Sequence, residues 1–404
     1  MIIQMAWRNI WRNKARSIII MISIAIGLFA GVAVLSLYKG MMKSRIATVV
    51  NAEIGHLQIH DTNFKKDYEP EFFIADSQYV HGIIKKLPEV KVSAVRSIAN
   101  GMLATPTGST GVKINGVVPE QEYQVSQLKQ KIKEGKEFDP GKKNEILIGK
   151  KLADKMKLKL GSKLVLTLTD TASEIVSGAF KIAAIYQSDN APLDERNVYI
   201  EIDELNDLLG TPHRFHEIAI VLKQDKYLDE VRGHLQKQLP EYQVETWIDI
   251  SPEMNLMVKT TDQYSYIIII IIMIALAFGI INTMLMAILE RTREIGMMVA
   301  LGTSRLRVFV LILFETFFLT LGGVPVGILS AWGAIQYFQK NGLDLSSDSE
   351  EMMRSFGFST MIYPEFPAEQ LAGVLFIVVG TALVSCLFPA IKALRLKPVE
   401  ALRR

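Results

Sequence analysis

A chain of 404 residues that is 49% hydrophobic yet 22% charged is too polar to lie wholly in a membrane and, where its apolar residues gather, too greasy to be soluble throughout. A net charge of +3 leaves no basic excess of the kind that binds nucleic acid. The single cysteine, Cys386, excludes a disulfide framework.

In chain order, MIIQMAWRNIWRNKARS comes first. Ile3, Trp7, Ile10 and Trp11 recur at helical spacing, while Gln4, Arg8 and Arg12 repeat on another face. Residues 1–16 therefore read as an amphipathic helix on the inner leaflet, the alternative being snorkelling flanks of the span that follows. Residues 17–38 supply the roughly 20 apolar positions that cross a hydrocarbon core. That stretch is too long for a signal-peptide apolar region and lacks a small-x-small exit, so it reads as an uncleaved anchor. Comparable windows follow at 264–289, 308–338 and 370–394.

Arginines and lysines orient these spans. Arg8, Arg12, Lys14 and Arg16 precede the first, Arg291, Arg293, Arg305 and Arg307 lie between the second and third, and Lys392, Arg395, Lys397, Arg403 and Arg404 end the chain. All three groups read as cytoplasmic, including the tail 395–404. The loop 339–369 instead carries Asp344, Asp348, Glu350, Glu351, Glu365 and Glu369, and reads as outside together with residues 39–263.

Within the outside region two segments look alike. GHLQIH and a helical ADSQYVHGIIKKLPEVKVSAV resemble FHEIAIVL and DKYLDEVRGHLQKQLPEYQVETW. Each reads strand, helix, strand, the helix stopping at Leu87-Pro88-Glu89 or Leu239-Pro240-Glu241, where proline forbids continuation. Two βαβ-type halves of one unit are expected at about 50–117 and 193–250. Between them, about 118–192, the strand-helix NEILIGKKLADKMKL and the alternating KLGSKLVLTLTD and GAFKIAAIYQ predict a strand-rich insertion. The fold class is thus an α-helical membrane protein with four transmembrane helices and a large α+β extracytoplasmic domain.

No catalytic pattern stands out. Gly141-Lys142-Lys143 and Gly149-Lys150-Lys151 do not complete a P-loop. His56 and His60 share a strand face and His213 and His216 lie close, but no HExxH motif or cysteine accompanies them, so no metal site is assigned. Glu315, an acid inside the third span, is expected to pair with Arg305 or Arg307 near the interface. Gly27-Leu28-Phe29-Ala30-Gly31 and Gly323-Val324-Pro325-Val326-Gly327 allow close helix approach, and Gly322, Gly323 and Pro325 mark a place where the third span can bend.

ERTREIGMMVALGTSR, residues 290–305, lies between two membrane-length segments. As a helix it sets Glu290, Arg293 and Glu294 on one side and Ile295, Met298 and Val299 on another, with Gly302 a stop before Thr303 and Ser304 open the next helix. A short amphipathic helix joined rigidly to two spans can transmit force.

These residues carry a resemblance. Glu290-Arg291-Thr292-Arg293-Glu294-Ile295-Gly296 with Ala300-Leu301-Gly302 and Ser304-Arg305 resembles the signature of the FtsX-like permease family of ABC transporters. Pro389-Ala390, Ala393-Leu394 and Lys397-Pro398-Val399-Glu400-Ala401-Leu402-Arg403 resemble that family's ending, and Ala6-Trp7-Arg8-Asn9 its start. The outside region, with Asn144-Glu145-Ile146-Leu147-Ile148-Gly149 and Val198-Tyr199-Ile200, is similar to the periplasmic core of macrolide-exporter and lipoprotein-release permeases.

The resemblance implies a type VII ABC permease that is not itself catalytic. Separate ATPase subunits, two per complex, would bind ATP and magnesium, and a second permease subunit, identical or paralogous, would complete the assembly. Docking on the ATPase then falls to Glu290, Arg291, Thr292, Arg293, Glu294, Ile295, Gly296, Ala300, Leu301 and Gly302. Gly27, Leu28, Gly31, Ile268, Gly323 and Gly327 would pack the spans, with membrane lipid around them, or line a lateral cavity for acyl chains between two protomers. The entry strand Gly55-His56-Leu57-Gln58-Ile59-His60 looks most like lipoprotein-releasing permeases of the bacterial inner membrane, which pass cargo to a periplasmic carrier. Two other outcomes stay open: export of hydrophobic drugs or peptides through a periplasmic adaptor, and activation of a cell-wall hydrolase by mechanotransmission.

Overall fold

The computed structural model describes residues 2–50, 54–75, 77–139 and 141–394. The expected cytoplasmic tail, 395–404, lies outside the described residues. The chain divides into a unit of Met1–Met42, Val258–Leu343 and Met361–Arg404 and a second of Lys43–Met257 and Asp344–Thr360.

A short helix, Ile2–Arg12, precedes the helices Lys14–Val49, Pro252–Glu290, Arg305–Asn341 and Ala368–Leu394, of which all or the greater part lies in the first unit. Each of these four contains a stretch long and apolar enough to cross a membrane. Six consecutive isoleucines, 267–272, sit in the second of them. β-Branched residues disfavour a helix in water, but in lipid only a helix satisfies a lone segment's backbone amides and carbonyls internally. The first two long helices contain 36 and 39 residues. At 1.5 Å per residue they extend about 54 and 58 Å against a hydrocarbon core of about 30 Å, so residues 17–38 and 264–289 are the apolar parts of longer rods. Arg305–Asn341 runs on through Pro325 without a break in the helix, whereas the glycines beside that proline predicted a loosened segment.

The second unit holds ten strands: β1 Leu57–Asp61, β2 Val90–Thr105, β3 Gly108–Val117, β4 Ile132–Gly135, β5 Glu145–Gly149, β6 Lys163–Thr169, β7 Ile175–Tyr186, β8 Asn197–Glu201, β9 Glu217–Leu222 and β10 Tyr242–Thr246. The two look-alike segments become β1, helix Ser77–Lys85, β2 and β9, helix Leu228–Gln238, β10. They interleave in the order β10-β1-β9-β2, every neighbour antiparallel, which is a split βαβ arrangement. Leu57, Ile59, Val80, Ile84, Ile218, Ile220, Val231, Leu235 and Val244 form its core.

The strand-rich part is wider than residues 118–192. Its core joins Ile146, Ile148, Leu164, Leu166, Phe180 and Ile182 to Leu103, Val112 and Ile114 on one side and to Val198, Ile200, Leu205 and Leu209 on the other. The cause is β2, whose 16 residues pair with β9 through Val90–Arg96 and with β6 through Gly101–Ala104. At Gly101 a Cβ would stand 2.7 Å from the carbonyl oxygen of Thr167, so β6 can lie there only over a residue without a side chain. Residues 344–360, expected as an outside loop, carry the helix Ser346–Ser355 and join this unit. Arg354 Nη1 donates to the Ser188 carbonyl at 3.1 Å, and Arg45 Nη1 to the Gly357 carbonyl at 2.7 Å.

A buried ionic group lies on β2. Arg96 Nε and Nη2 donate to the two carboxylate oxygens of Glu122, each at 2.8 Å, and Nη1 to Glu217 at 3.0 Å. All three residues are less than 5% exposed. Burial alone would push the guanidinium down, but the two carboxylates reverse this and hold Arg96 above its ordinary value. Replacing Arg96 by methionine leaves two buried carboxylates facing each other. The expected cost is roughly 3–5 kcal/mol, read as a fall in the thermal midpoint of the full chain in detergent; Arg96→Lys, which keeps a charge without the fork, should fall between.

Candidate functional site

The helix Pro252–Glu290 ends where Arg291 leaves helical geometry, at φ −103° and ψ 14°, and a new helix runs from Thr292 to Ala300. It stops at Gly302, whose φ of +93° suits glycine, while the amides of Leu301 and Thr303 bond back to Met297 and Met298 at 2.9 and 3.0 Å. Ser304 takes the N-cap position of the next helix without a side-chain capping bond.

The short helix has an inner and an outer side. Ile295 and Gly296 are buried, and Met298 and Val299 pack against the helical core. Arg293 and Ala300 are exposed, Met297 is 48% exposed and Leu301 81% exposed. The three residues expected to form one charged side separate. Glu290 pairs with Arg16 and Glu294 with Arg12, both glutamate side chains staying 45% exposed, and Arg293 is exposed as well. Arg291 donates from Nε to Glu294 at 3.2 Å and from Nη1 to Glu315 at 3.1 Å, with Thr292 Oγ1 donating to the Leu289 carbonyl at 2.9 Å. Bonds from Arg12 first, then Arg291, hold the Glu294 carboxyl below its usual range.

Glu315 therefore pairs with Arg291, not with Arg305 or Arg307 as expected. Those two arginines precede Glu315 along one helix by 10 and 8 residues, about 15 and 12 Å of rise, whereas Arg291 arrives from a neighbouring helix end. For Arg12 and Arg16 the sequence suggests a polar helix face and a cytoplasmic flank, but no partner, because partners this distant in the chain leave no mark in local spacing. The amino-terminal helix buries Ala6 and Ile10 and leaves Ile3, Trp7 and Trp11 exposed. The rings of Trp7 and Phe318 meet edge-on at 5.6 Å.

The span glycines divide by what they touch. A Cβ on Gly323 would stand 2.7 Å from the Met21 carbonyl oxygen, and one on Gly327 2.9 Å from that of Ala25. The third span thus lies directly on the backbone of the first. Gly27 faces Leu276 of the second span at 2.8 Å, while at Gly31 the nearest atom, Met273 Cε, is 3.9 Å away. Leu28 is wholly buried against Gly327 and fills the core instead of lining a cavity. Ile268 is half-buried, and its neighbours Ile267, Ile270 and Ile271 are exposed.

The histidines are engaged in the strand architecture. His56 accepts from the Leu222 amide at Nδ1, 3.3 Å, and directs Nε2 at Asp225, 2.9 Å away. His60 Nε2 lies 2.9 Å from Glu245, which also accepts from Lys65 at 2.6 Å; these bonds bring the Glu245 carboxyl down to about 2. His216 accepts from the Ile98 amide and donates to the Pro70 carbonyl, stacked on Phe64.

A family model described as the FtsX-like permease C-terminal domain matches residues 266–398, and one described as the MacB-like periplasmic core domain matches residues 17–238. Over 97% of this chain and 95% of the relative, the sequence is 25% identical to the lipoprotein-releasing system transmembrane protein LolC of Neisseria meningitidis serogroup B. It is 22% identical to an uncharacterized ABC transporter permease of Methanocaldococcus jannaschii, over 100% of this chain and 97% of that one. A 149-residue stretch is 33% identical to the macrolide export ATP-binding/permease protein MacB of Hahella chejuensis, covering 36% of this chain and 20% of that protein.

The glycine contacts give a paired expectation. Gly327→Ala forces a methyl against a backbone carbonyl and should destabilise the helical unit by about 1–3 kcal/mol, whereas Gly31→Ala meets only ordinary contact and should be neutral or stabilising by up to about 1 kcal/mol. Thermal unfolding of the two variants in the same detergent compares them.

Proposed function

The chain belongs to the ABC transporter permeases of FtsX and MacB type, and from that premise we propose that it releases lipoproteins from the inner membrane. A permease of this family works with an ATPase, and the sequence completes no P-loop of its own. The observation that carries the cargo assignment is the similarity to LolC along nearly the whole length of both chains. The name of that relative gives the cargo class, and the extended outside unit gives a surface on which a released lipoprotein can be handed to a soluble carrier.

In this reading two ATPase subunits bind ATP and magnesium and press on the helix Thr292–Ala300 of two permease subunits. Contact falls on its outer side, where Arg293, Met297, Ala300 and Leu301 are exposed, while buried Ile295 and Gly296 and the ion pair of Glu294 with Arg12 hold the helix to the rest of the chain. The second span, with Ile267, Ile270 and Ile271 open on its surface, is the side offered to acyl chains or to the second permease. Export of a hydrophobic compound is the competing reading, favoured by the stretch 33% identical to a macrolide exporter.

Depletion of the protein in its own cell separates the two. Lipoproteins retained in the inner membrane support release, and normal lipoprotein sorting with altered sensitivity to amphiphilic drugs supports export. For the contact side, Leu301→Asp places an unpaired charge in the interface core and should weaken ATPase binding by about 10- to 100-fold, measured by co-purification and titration, without lowering the permease's own melting temperature.

A further inference from the structure

Three arginines and three glutamates from five helices meet around the break at Arg291. Arg12 closes Ile2–Arg12, Arg16 lies in Lys14–Val49, Glu290 ends the second-span helix, Arg291 and Glu294 open the short helix, and Glu315 lies inside Arg305–Asn341. We propose that Glu315 is a positioning residue for energy coupling: by gripping Arg291 it fixes the angle at which the short helix leaves the second span, so that force on its outer side reaches the third span. This rests on the reading of Thr292–Ala300 as the ATPase-facing helix.

The geometry carries the assignment. Arg291 is both the break between two helices and the centre of the cluster, reaching both Glu315 oxygens through Nη1 at 3.1 and 3.4 Å and Glu294 through Nε at 3.2 Å. A guanidinium held on two edges has its plane fixed, so the pairing sets a direction as well as a distance, which the point charge of lysine does not. The side chains of Arg291, Glu315 and Arg16 are each 16–17% exposed. Little water reaches the Arg291–Glu315 pair to take over a lost contact, while Arg12, Glu290 and Glu294, 45–56% exposed, form the outer part of the cluster.

The other end of the short helix is different. Gly302 sits at φ +93° with nothing within 4 Å of a Cβ built on it. The helix is thus gripped at its start and open at its end, as a lever is at its pivot. Surface loops joining two helices need no buried ion pair at the junction, and an ion pair serving stability alone has no cause to fall on the residue where the helix changes direction.

The test uses the full permease in lipid nanodiscs, with Cys386 replaced by alanine and spin labels at Met297 and Leu321, both exposed. The unaltered pairing should give one narrow distance. Glu315→Gln, equal in size but uncharged, should broaden it or add a second distance, and Arg291→Lys should do the same. With the ATPase present, Glu315→Gln should keep ATPase binding and basal hydrolysis within about twofold but lower ATP-driven cargo release about tenfold. An unchanged distance in Glu315→Gln overturns the proposal, and so does loss of ATPase binding together with a lowered melting temperature, which marks a structural prop. If the unaltered permease binds no ATPase, the coupling reading falls by itself, while the permease-only distances still decide whether Glu315 sets the helix angle.

Discussion

Polar groups withdrawn from water have to be matched inside the chain, and that obligation organises both units of this protein. In the helical unit it forces every apolar stretch into a helix, isoleucine runs included, because a lone segment in lipid has no other way to pair its amides and carbonyls. Hydrophobic association is then absent between helices, and contact depends on how closely backbones approach. Gly323 and Gly327 place the third span on the carbonyls of Met21 and Ala25, and Leu28 fills the space beside them. Charges at the ends of these helices obey the same rule: Arg12, Arg16 and Arg291 are matched by Glu294, Glu290 and Glu315.

The outside unit meets the obligation with strands and one buried ionic group. Arg96, Glu122 and Glu217 sit where β2 passes from the split βαβ core to the strand-rich core, and the fork of Arg96 uses both edges on its two carboxylates. A strand long enough to belong to two cores makes them parts of one sheet, in which β2 pairs with β9, β3 and β6. The helix Ser346–Ser355, inserted between the third and fourth spans, adds to this unit through Arg354 and the Ser188 carbonyl.

For function, the consequence is a division of labour on the short helix Thr292–Ala300. Glu294 on this helix and Glu290 just before it pair with arginines of the same chain while staying partly exposed, and Met297, Ala300 and Leu301 are exposed beside Arg293. The exposed residues of this helix are thus mainly apolar, and its ion pairs tie it to other helices of the same chain.

The sequence by itself determined whatever depends on composition and local period. The membrane stretches, the helix stop at Gly302 and the repeated strand-helix-strand segments were all legible, because length, composition and periodicity are properties of neighbouring residues. The motif Glu290 to Gly302 also pointed to the family from local residues alone. Tertiary structure decided which partner each charge takes, since Arg12 and Glu294 are hundreds of positions apart and no spacing rule connects them. It decided that Glu315 takes Arg291, that Leu28 is core, and that Ile10 is buried while Trp7 and Trp11 stay exposed. It also decided the breadth of the strand-rich core, because whether β2 stops or continues past Gly101 depends on β6 arriving from more than sixty residues later. The physical reason is the same in each case: burial and pairing are properties of what the fold brings together, and the chain carries them only as residues able to accept whichever partner arrives.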